Sequence, residues 1–429
     1  MRFFAPLLFA FSFAVIPVSL SCSGYKISYG GKTMMGANED AWRLSSTIWF
    51  EIAGRNSNYG AAFTGSRLDG KNGVAPQAGM NEQGLAFQRL ASWHPDLGIQ
   101  KGKRPVENQT AYLKMILHTC KTVAEVGTLV GRFDRSCFRE DVFLYTDKSG
   151  DYLIVEPYKL IRGCKPSYVI SNFCPSITTP AKAAEIDRYR KGAAFLQLKS
   201  DSGLAFCKAL SDTMHVCRKK IGDGTLLTSI WDLKQLKVNL FFYHDYGKTK
   251  QFSLPEELKK GDHQLAVAGL FPPNPEFQKL KDYQIPKNNA VMGATILGCA
   301  GIFILSFCFF ILMLRKKTCR TERNATLLIM PVLAAMTWFI WILLENSAIF
   351  YFPAPYRNPV SMTNSLASYF PDILLLLLTP LSVRCFQLFR KKAKNPFFNA
   401  AYAGNLFLLF LLSGLFVYWQ LFVFATFIS

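Results

Sequence analysis

Histidine is scarce in this chain, and none of its histidines lies in a recognisable catalytic pattern. The 429 residues include five, namely His94, His118, His215, His244 and His263. Catalysis that depends on a histidine base therefore has little support. The sequence also lacks a Cys-x-x-Cys pair or a Cys/His spacing typical of zinc sites. We therefore predict no metal and no organic cofactor.

Acidic residues are also few, 29 against 49 lysines and arginines, which gives a formal charge of +20. Much of the positive charge lies in two clusters, at 315–323 and 384–394, that flank long apolar runs. Membrane proteins mark their cytoplasmic loops in this way. Because the sequence shows no basic stripe interleaved with aromatic residues, we predict no nucleic-acid partner.

Four apolar runs in the C-terminal third are each near the length needed to cross a bilayer. They cover residues 290–314, 325–344, 366–383 and 404–428. Counting from an exported N-terminal part, both basic clusters fall on the cytoplasmic side, as the positive-inside rule requires. Asp372 lies near the start of the third run, where a helix-start residue at the interface is expected. The alternative is a set of buried core helices in a soluble protein.

The first 21 residues have the pattern of a signal peptide. A short positive segment, Met1-Arg2, precedes an apolar stretch, and the small residues Ser19 and Ser21 lie at −3 and −1 relative to Cys22. Cleavage before Cys22 would export everything up to the first spanning run. The alternatives are an uncleaved signal anchor and, since a lipobox also ends at a cysteine, a lipid-modified Cys22.

Six further cysteines lie in the exported part, and an even number in an oxidising compartment suggests disulfides. The simplest pairing by spacing is Cys120/Cys137, Cys164/Cys174 and Cys207/Cys217. Cys22 is then the odd cysteine, which marks it as a reactive thiol unless it is itself half of a disulfide.

Alternating runs on either side of Gly30-Gly31 predict a hairpin that starts at Cys22 and brings Asp40 near it. Further strand-like hairpins, at 142–155 and 226–243, alternate in blocks with helical segments, which favours an α+β domain with mainly antiparallel sheets. Residues 254–289 are polar and contain prolines, and we predict a linker there. The expected domains are therefore a signal peptide (1–21), an exported domain (22–253), the linker and four membrane helices (290–429).

A cysteine at a mature N-terminus can act as nucleophile and base together. Its α-amino group, with a reference pKa of about 8, can take the thiol proton through water. The thiolate then attacks an amide carbonyl and forms an acyl-thioester, while nearby donors stabilise the oxyanion. Such chemistry needs no histidine, in agreement with the composition.

Four segments carry a family resemblance: Cys22-Ser23, residues 36–42, residues 79–87 and residues 168–173. Together with residues 228–233 and 241–243, they resemble the N-terminal-nucleophile hydrolases of the choloylglycine hydrolase, penicillin V acylase and linear-amide C–N hydrolase group. The resemblance covers roughly residues 22–254. It implies an αββα sandwich of two antiparallel sheets between helical layers.

The resemblance also implies roles for individual residues. Cys22 would be the nucleophile, Asp40 would hold its amine or thiol, and Asn172 would donate to the oxyanion. Arg188 matches a late arginine of the family, and Asn81 is a weaker candidate for the oxyanion site. The arginine that the family has just before Asn38 is replaced here by Ala37, which speaks against a simple bile-salt hydrolase.

The sequence therefore predicts a membrane-tethered amidohydrolase in a cell membrane, with its catalytic domain outside the cytoplasm. The substrate class is a non-peptide linear amide, an N-acyl amine or N-acyl amino acid, and membrane tethering favours an amphipathic acylated molecule. Two alternatives remain open: an acyltransferase, and a non-catalytic ligand-sensing domain that signals through the membrane helices. A transporter that moves ions through the helices is disfavoured by their few charges.

Overall fold

The structure is a computed structural model of the whole chain. It describes residues 22–41, 43–54, 57–198, 201–217, 220–221, 224–316, 319–356, 361–390 and 395–424. The predicted signal peptide lies outside these residues. The described chain divides into an N-terminal unit that ends at Gln284 and a C-terminal unit that begins at Ile285.

The strands all lie in the N-terminal unit. In chain order they are β1 (Cys22–Tyr29), β2 (Lys32–Ala41), β3 (Thr47–Glu51), β4 (Ala61–Gly65), β5 (Arg67–Leu68), β6 (Val74–Ala75), β7 (Ala78–Asn81), β8 (Ala86–Ala91), β9 (Arg104–Pro105), β10 (Phe133–Asp134), β11 (Asp141–Thr146), β12 (Tyr152–Val155), β13 (Leu160–Gly163), β14 (Ser167–Ile170), β15 (Gly224–Asp232), β16 (Lys237–Phe242), β17 (Lys250–Ser253) and β18 (His263–Ala266).

The helices occur in both units. In chain order they are α1 (Gln109–Thr119), α2 (Val123–Val130), α3 (Pro180–Ala184), α4 (Asp187–Leu198), α5 (Leu204–Met214), α6 (Leu254–Leu258), α7 (Pro275–Asp282), α8 (Ala290–Arg315), α9 (Arg320–Glu345), α10 (Met362–Ala367), α11 (Phe370–Arg390) and α12 (Pro396–Tyr418).

A six-stranded sheet in the order β14-β1-β2-β15-β16-β17 contains the first strand of the described chain. The β1–β2 hairpin turns at Gly30 and Gly31, which have φ angles of 54° and 78° that glycine adopts without strain. Tyr29 pairs with Lys32 across this two-residue turn, and Cys22 pairs with Glu39 at the open end. The predicted hairpin is therefore present. Because β1 is also paired to β14, Cys22 begins an interior strand.

An antiparallel eight-stranded sheet has the order β13-β12-β11-β8-β7-β4-β3-β18. Its last strand, β18, comes from the segment that we expected to be a linker, and it pairs with β3 from His263↔Phe50 to Ala266↔Thr47. Residues 254–284 thus belong to the folded unit. An edge strand with alternating exposure carries too little apolar sequence to stand out from a polar segment.

Three apolar clusters establish the order of the layers. In the first, α1 and α2 pack on one face of the eight-stranded sheet, with Leu113 and Val126 against Phe87 and Leu153. In the second, α4 and α5 cover the outer face of the six-stranded sheet. The third lies between the sheets, where Cys22 contacts side chains of the opposite sheet. This sequence of layers is the expected αββα arrangement, and each large apolar side chain buried in it contributes about 1.5–3 kcal/mol.

The C-terminal unit contains α8, α9, α11 and α12, each of which is long and apolar enough to cross a membrane. Aromatic contacts join them, for example Phe339 with Phe370 and with Phe416. The third and fourth helices occupy Phe370–Arg390 and Pro396–Tyr418, shifted toward the C-terminus and the N-terminus, respectively, from the predicted spans. Asp372 lies in the first turn of α11, and its carboxylate accepts the N–H groups of Val423 and Phe424.

Candidate active site

Cys22 is held through its nitrogen, its carbonyl oxygen and its sulfur by groups from distant parts of the chain. Its N–H donates to Asn172 Oδ1 at 2.9 Å. Its carbonyl oxygen accepts from Ser171 Oγ at 3.0 Å and from Arg188 Nε at 3.2 Å. The residues that the sequence resemblance singled out at positions 22, 172 and 188 therefore lie together. They meet because β14 pairs with β1 and ends directly beside Cys22.

The Asn172 side chain has only one orientation that satisfies its neighbours. Its Oδ1 accepts from the Cys22 nitrogen and from the Arg188 guanidinium, which has no acceptor to offer. Its Nδ2 donates to the Ala91 carbonyl at 2.6 Å. Asn172 therefore holds the nitrogen of Cys22 in this structure. Its predicted role as an oxyanion donor stays a prediction.

Arg188 lies at the beginning of α4 and is 9% exposed. Its contacts with the Cys22 carbonyl and with Asn172 place a permanent positive charge beside the nitrogen of Cys22. A cation at this distance disfavours a second positive charge nearby. Any amine formed at Cys22 would thus be kept in its neutral, basic form more readily.

Asp40 contributes to the site through its backbone and through its charge. Its N–H donates to the Cys22 sulfur, and its nearby carboxylate raises the pKa of that thiol. The side chain itself accepts a hydrogen bond from Thr225 Oγ1 on the neighbouring strand. Alternation along β2 explains this arrangement, since Glu39 rather than Asp40 is the direct partner of Cys22.

The Cys22 thiol is buried, and burial together with Asp40 raises its pKa from 9.0 to about 12. In the chain described here Cys22 follows Ser21, so its nitrogen is a peptide N–H and not an amine. The neutral thiol is therefore strongly favoured before any cleavage. The structure thus describes a thiol that is held in position by its neighbours.

Gln77, which sequence analysis missed, presents a side-chain amide to this thiol. Its Nε2 lies 3.8 Å from Cys22 Sγ and also donates to the Arg89 carbonyl at 2.6 Å. Two hydrogen bonds fix its backbone: the Gln77 N–H donates to the Thr64 carbonyl, and the Gln77 carbonyl accepts from the Arg89 N–H. A lone glutamine before a strand carries no sequence signal, so only the three-dimensional structure identifies it.

A second group that sequence analysis missed is Arg43, which follows β2, the strand in which Ala37 stands where the resemblance leads one to expect an arginine. Arg43 Nη1 donates to Ser66 Oγ at 3.2 Å, and Ser66 in turn donates to the buried carboxylate of Glu39. Burial raises the pKa of Glu39 and lowers that of Arg43. Positive charge therefore reaches the Cys22 side of β2 from a position after Asp40 instead of before Asn38.

Ala37, Glu39 and Gln77 line a small cavity between the two sheets, with a volume of about 10 Å³. This volume holds one water molecule at most. This cavity is therefore too small to hold an acyl chain.

Asn81 does not take part in this site, which corrects its assignment as a weak oxyanion candidate. Its Nδ2 donates to the carbonyls of Leu117 and Cys120, both at 2.7 Å. Its Oδ1 accepts the N–H groups of Gln83 and Leu85. All four hydrogen-bonding positions of the amide are used, and Asn81 instead joins the turn after β7 to the end of α1.

No disulfide joins the cysteines in the part of the chain that the structure describes. Of the predicted pairs, Cys207 is buried in the cluster under α5, while Cys217 is exposed and contacts Glu276. Disulfide pairing in the N-terminal unit therefore remains a prediction.

No protein-family model and no curated protein matches the chain. Among solved structures, penicillin V acylase from Agrobacterium tumefaciens is 17% identical, with a TM-score of 0.40, over 52% of this chain and 83% of that one. A mutant of conjugated bile acid hydrolase from Clostridium perfringens is 14% identical, with a TM-score of 0.45, over 59% and 97%. A second variant of that hydrolase is 16% identical, with a TM-score of 0.44, over 59% and 97%. Penicillin V acylase is also named in the resemblance drawn from the sequence.

Proposed function

We propose that the N-terminal unit is an amidohydrolase that uses Cys22 as an N-terminal nucleophile after the leader is removed. The observation that carries this proposal is the set of contacts around one residue. Asn172 and Arg188 hold the nitrogen and the carbonyl of Cys22, and Asp40 and Gln77 face its sulfur. A buried structural cysteine needs none of these contacts.

Cleavage before Cys22 supplies the base. The peptide N–H becomes an α-amine with a reference pKa of about 8, still next to Asn172 Oδ1. The Arg188 guanidinium beside it favours the neutral amine, which takes the thiol proton directly or through one water molecule. The resulting thiolate accepts the Asp40 N–H.

The thiolate attacks the carbonyl carbon of a bound amide, and the carbonyl oxygen becomes an oxyanion. Gln77 Nε2 lies 3.8 Å from the sulfur, on a rigid backbone, and provides a donor for that oxygen. When the intermediate collapses, the carbon–nitrogen bond breaks and the α-ammonium of Cys22 gives its proton to the leaving amine. The acyl group stays on the sulfur as a thioester.

Water completes the cycle. The neutral α-amine, restored by the loss of its proton to the leaving group, activates a water molecule that attacks the thioester and releases a carboxylic acid. The reaction needs no metal or organic cofactor. An amine in place of water would give acyl transfer by the same steps.

The substrate class that we propose is a linear, non-peptide amide, an N-acyl amine or N-acyl amino acid. Four helices that can span a membrane follow the catalytic unit in the same chain. With the unit on the extracytoplasmic side, an amphipathic acylated molecule held at the lipid bilayer is the substrate that best suits a tethered enzyme. Oligomeric state plays no part in the proposal.

Two measurements test the function. Intact-mass analysis and N-terminal sequencing of the mature chain should show an unblocked Cys22 as the first residue; a retained leader or a lipid on Cys22 refutes the nucleophile. Turnover of an N-acyl amide panel should then be abolished in Cys22→Ala and unchanged in Cys308→Ala, an exposed cysteine of α8 for which no disulfide is predicted.

The same panel separates the alternatives. Equal turnover by wild type and Cys22→Ala, or ligand binding without turnover in both, would favour a non-catalytic sensing domain. Formation of a new amide when a second amine is added would identify an acyltransferase.

A further inference from the structure

Three side chains with metal-binding atoms converge at a place that the proposed mechanism does not use. Cys217 lies after α5, His244 follows β16, and Glu276 is the second residue of α7. One ligand atom from each lies within 4.8 Å of the others. The three residues are far apart in the sequence, so no short motif reveals them. They are also separate from the residues that contact Cys22.

The spacing of these atoms fits a tetrahedral ion. His244 Nε2 lies 3.3 Å from Glu276 Oε2, and Cys217 Sγ lies 3.9 Å from the same oxygen. Zinc with ordinary bond lengths to nitrogen, sulfur and oxygen sets these two separations at about 3.4 Å and about 3.6 Å. Small rotations of the exposed Cys217 and Glu276 side chains would close the remaining difference.

We propose that Cys217, His244 and Glu276 bind a divalent cation of the zinc type. Thiolate, imidazole and carboxylate together suit Zn²⁺ and do not suit Mg²⁺ or Ca²⁺, which take oxygen ligands. Three protein ligands leave a fourth position for water. The proposal does not depend on the amidohydrolase function.

The surroundings of His244 hold its ring in place. The ring stacks on that of His215, with centroids 5.7 Å apart, and His215 Nδ1 lies 3.0 Å from Asp212 Oδ1. Tyr243 and His244 both have positive φ angles, 51° and 46°, which non-glycine residues seldom adopt. Such backbone positions persist where the surrounding structure fixes them, and they occur often at functional sites.

The third ligand is also positioned by packing. Phe277, the neighbour of Glu276, contacts the rings of Phe242 and Tyr243, at 4.8 Å and 5.1 Å between centroids. These contacts fix the start of α7 against the end of β16. A bound ion would therefore join the last helix of the N-terminal unit to its six-stranded sheet, a cross-link made by coordination instead of a disulfide.

Metal content of the full chain in detergent is the direct test. After removal of metals with a chelator and dialysis against Zn²⁺, the wild type should retain about one zinc per chain. Co²⁺ in its place should produce the near-ultraviolet thiolate-to-cobalt band, which reports on Cys217. Zinc should also raise the thermal midpoint, by roughly 5–10 °C at a hundredfold excess over Kd.

Variants distinguish this site from others. Cys217→Ser, His244→Gln and Glu276→Gln should each lower zinc affinity at least tenfold, and Cys217→Ser should abolish the cobalt band. His263→Gln is the matched control. His263 and Glu257 also form a His–Glu pair, 2.9 Å apart, but neither residue belongs to the proposed site. It should bind zinc like the wild type.

Three results would overturn the proposal. The first is wild-type chain that holds no zinc after dialysis. The second is unchanged zinc content in Glu276→Gln, whose exposed side chain can be altered without loss of the fold. The third is a mass-spectrometric Cys207–Cys217 disulfide in the mature protein, which would remove the thiolate ligand.

Discussion

A chain that keeps its leader should have an almost unreactive Cys22 thiol. Burial and the Asp40 carboxylate raise the pKa of this thiol from 9.0 to about 12 when its nitrogen is a peptide N–H. A raised thiol pKa favours the neutral form, so the thiolate appears only as the pH approaches 12. At any pH below 9, the thiolate fraction is then about a thousandfold smaller than that of an ordinary cysteine.

Removal of the leader changes the charge beside the sulfur. The new α-amino group carries a positive charge below a pKa of about 8, and a cation next to a thiol lowers the pKa of that thiol. Because the Arg188 guanidinium lowers the pKa of that amine below this reference value, we expect alkylation of the mature Cys22 to rise with an inflection below pH 8. At pH 7.5 it should be at least a hundredfold faster than in the uncleaved chain.

Alkylation with iodoacetamide as a function of pH, followed by peptide mass spectrometry, measures this difference site by site. Ser21→Phe provides the uncleaved chain, because a bulky residue at −1 blocks signal peptidase. A synthetic peptide with one unpaired cysteine, added to the same reaction, is the reference for reagent activity. An uncleaved Cys22 that reacts with an inflection at or below pH 9 would refute the reasoning.

Three further predictions concern single side chains. Gln77→Leu should lower kcat about 10²–10³-fold with little change in KM. Gln100→Leu is the control: it also loses a hydrogen bond from a side-chain amide to a carbonyl, 2.6 Å to Pro157, but should leave kcat unchanged. Equal kcat values for the two variants in steady-state assays would exclude Gln77 as a donor. Asp141→Ala breaks a buried ion pair with Arg89 and should lower the free energy of unfolding, measured by denaturation curves, by about 3–5 kcal/mol. Asp187→Ala breaks an exposed pair with Lys191 and should lower the same quantity by less than about 1 kcal/mol. Burial lowers the pKa of His118, but hydrogen bonds to Glu51 and Tyr59 outweigh it and raise that pKa. The stability that protonated His118 gives the fold is therefore complete below pH 6.5 and is lost as pH rises through the raised pKa. His118→Gln should lower the free energy of unfolding more at pH 6 than at pH 9, and an equal loss at both pH values would contradict this.

Local patterns were enough to predict the hairpins and the spanning helices. The Gly30-Gly31 turn and the apolar runs of spanning length each depend only on residues that are consecutive in the sequence, and the structure contains both. The edge strand β18 was missed because its four residues alternate in exposure within a polar, proline-bearing segment. The fourth apolar helix begins earlier than predicted because Pro396 starts a helix that composition alone placed later.

Apart from Asp40, which the predicted hairpin already placed near Cys22, the site was predictable only where a resemblance supplied long-range information. Asn172 and Arg188 contact Cys22 from 150 and 166 residues away, a relation that no periodicity encodes. Gln77 and Arg43 were missed because neither belongs to a motif and only the fold brings each of them to this site. Asn81 was assigned from the resemblance, yet its whole amide is used to hold the turn after β7.

Because β1 is paired with a strand on each side, its register is fixed, and with it the position of Cys22. Hydrogen bonds to β2 begin at Cys22 and those to β14 begin at Gly24, so the ladder is fixed whatever precedes it. One extra residue left by a misplaced cut would move the terminal amine by about 3.3 Å without weakening the sheet. Cleavage one residue too early would thus leave a fully folded protein whose amine no longer lies beside Asn172. Such a protein would keep its fold and lose its reactivity.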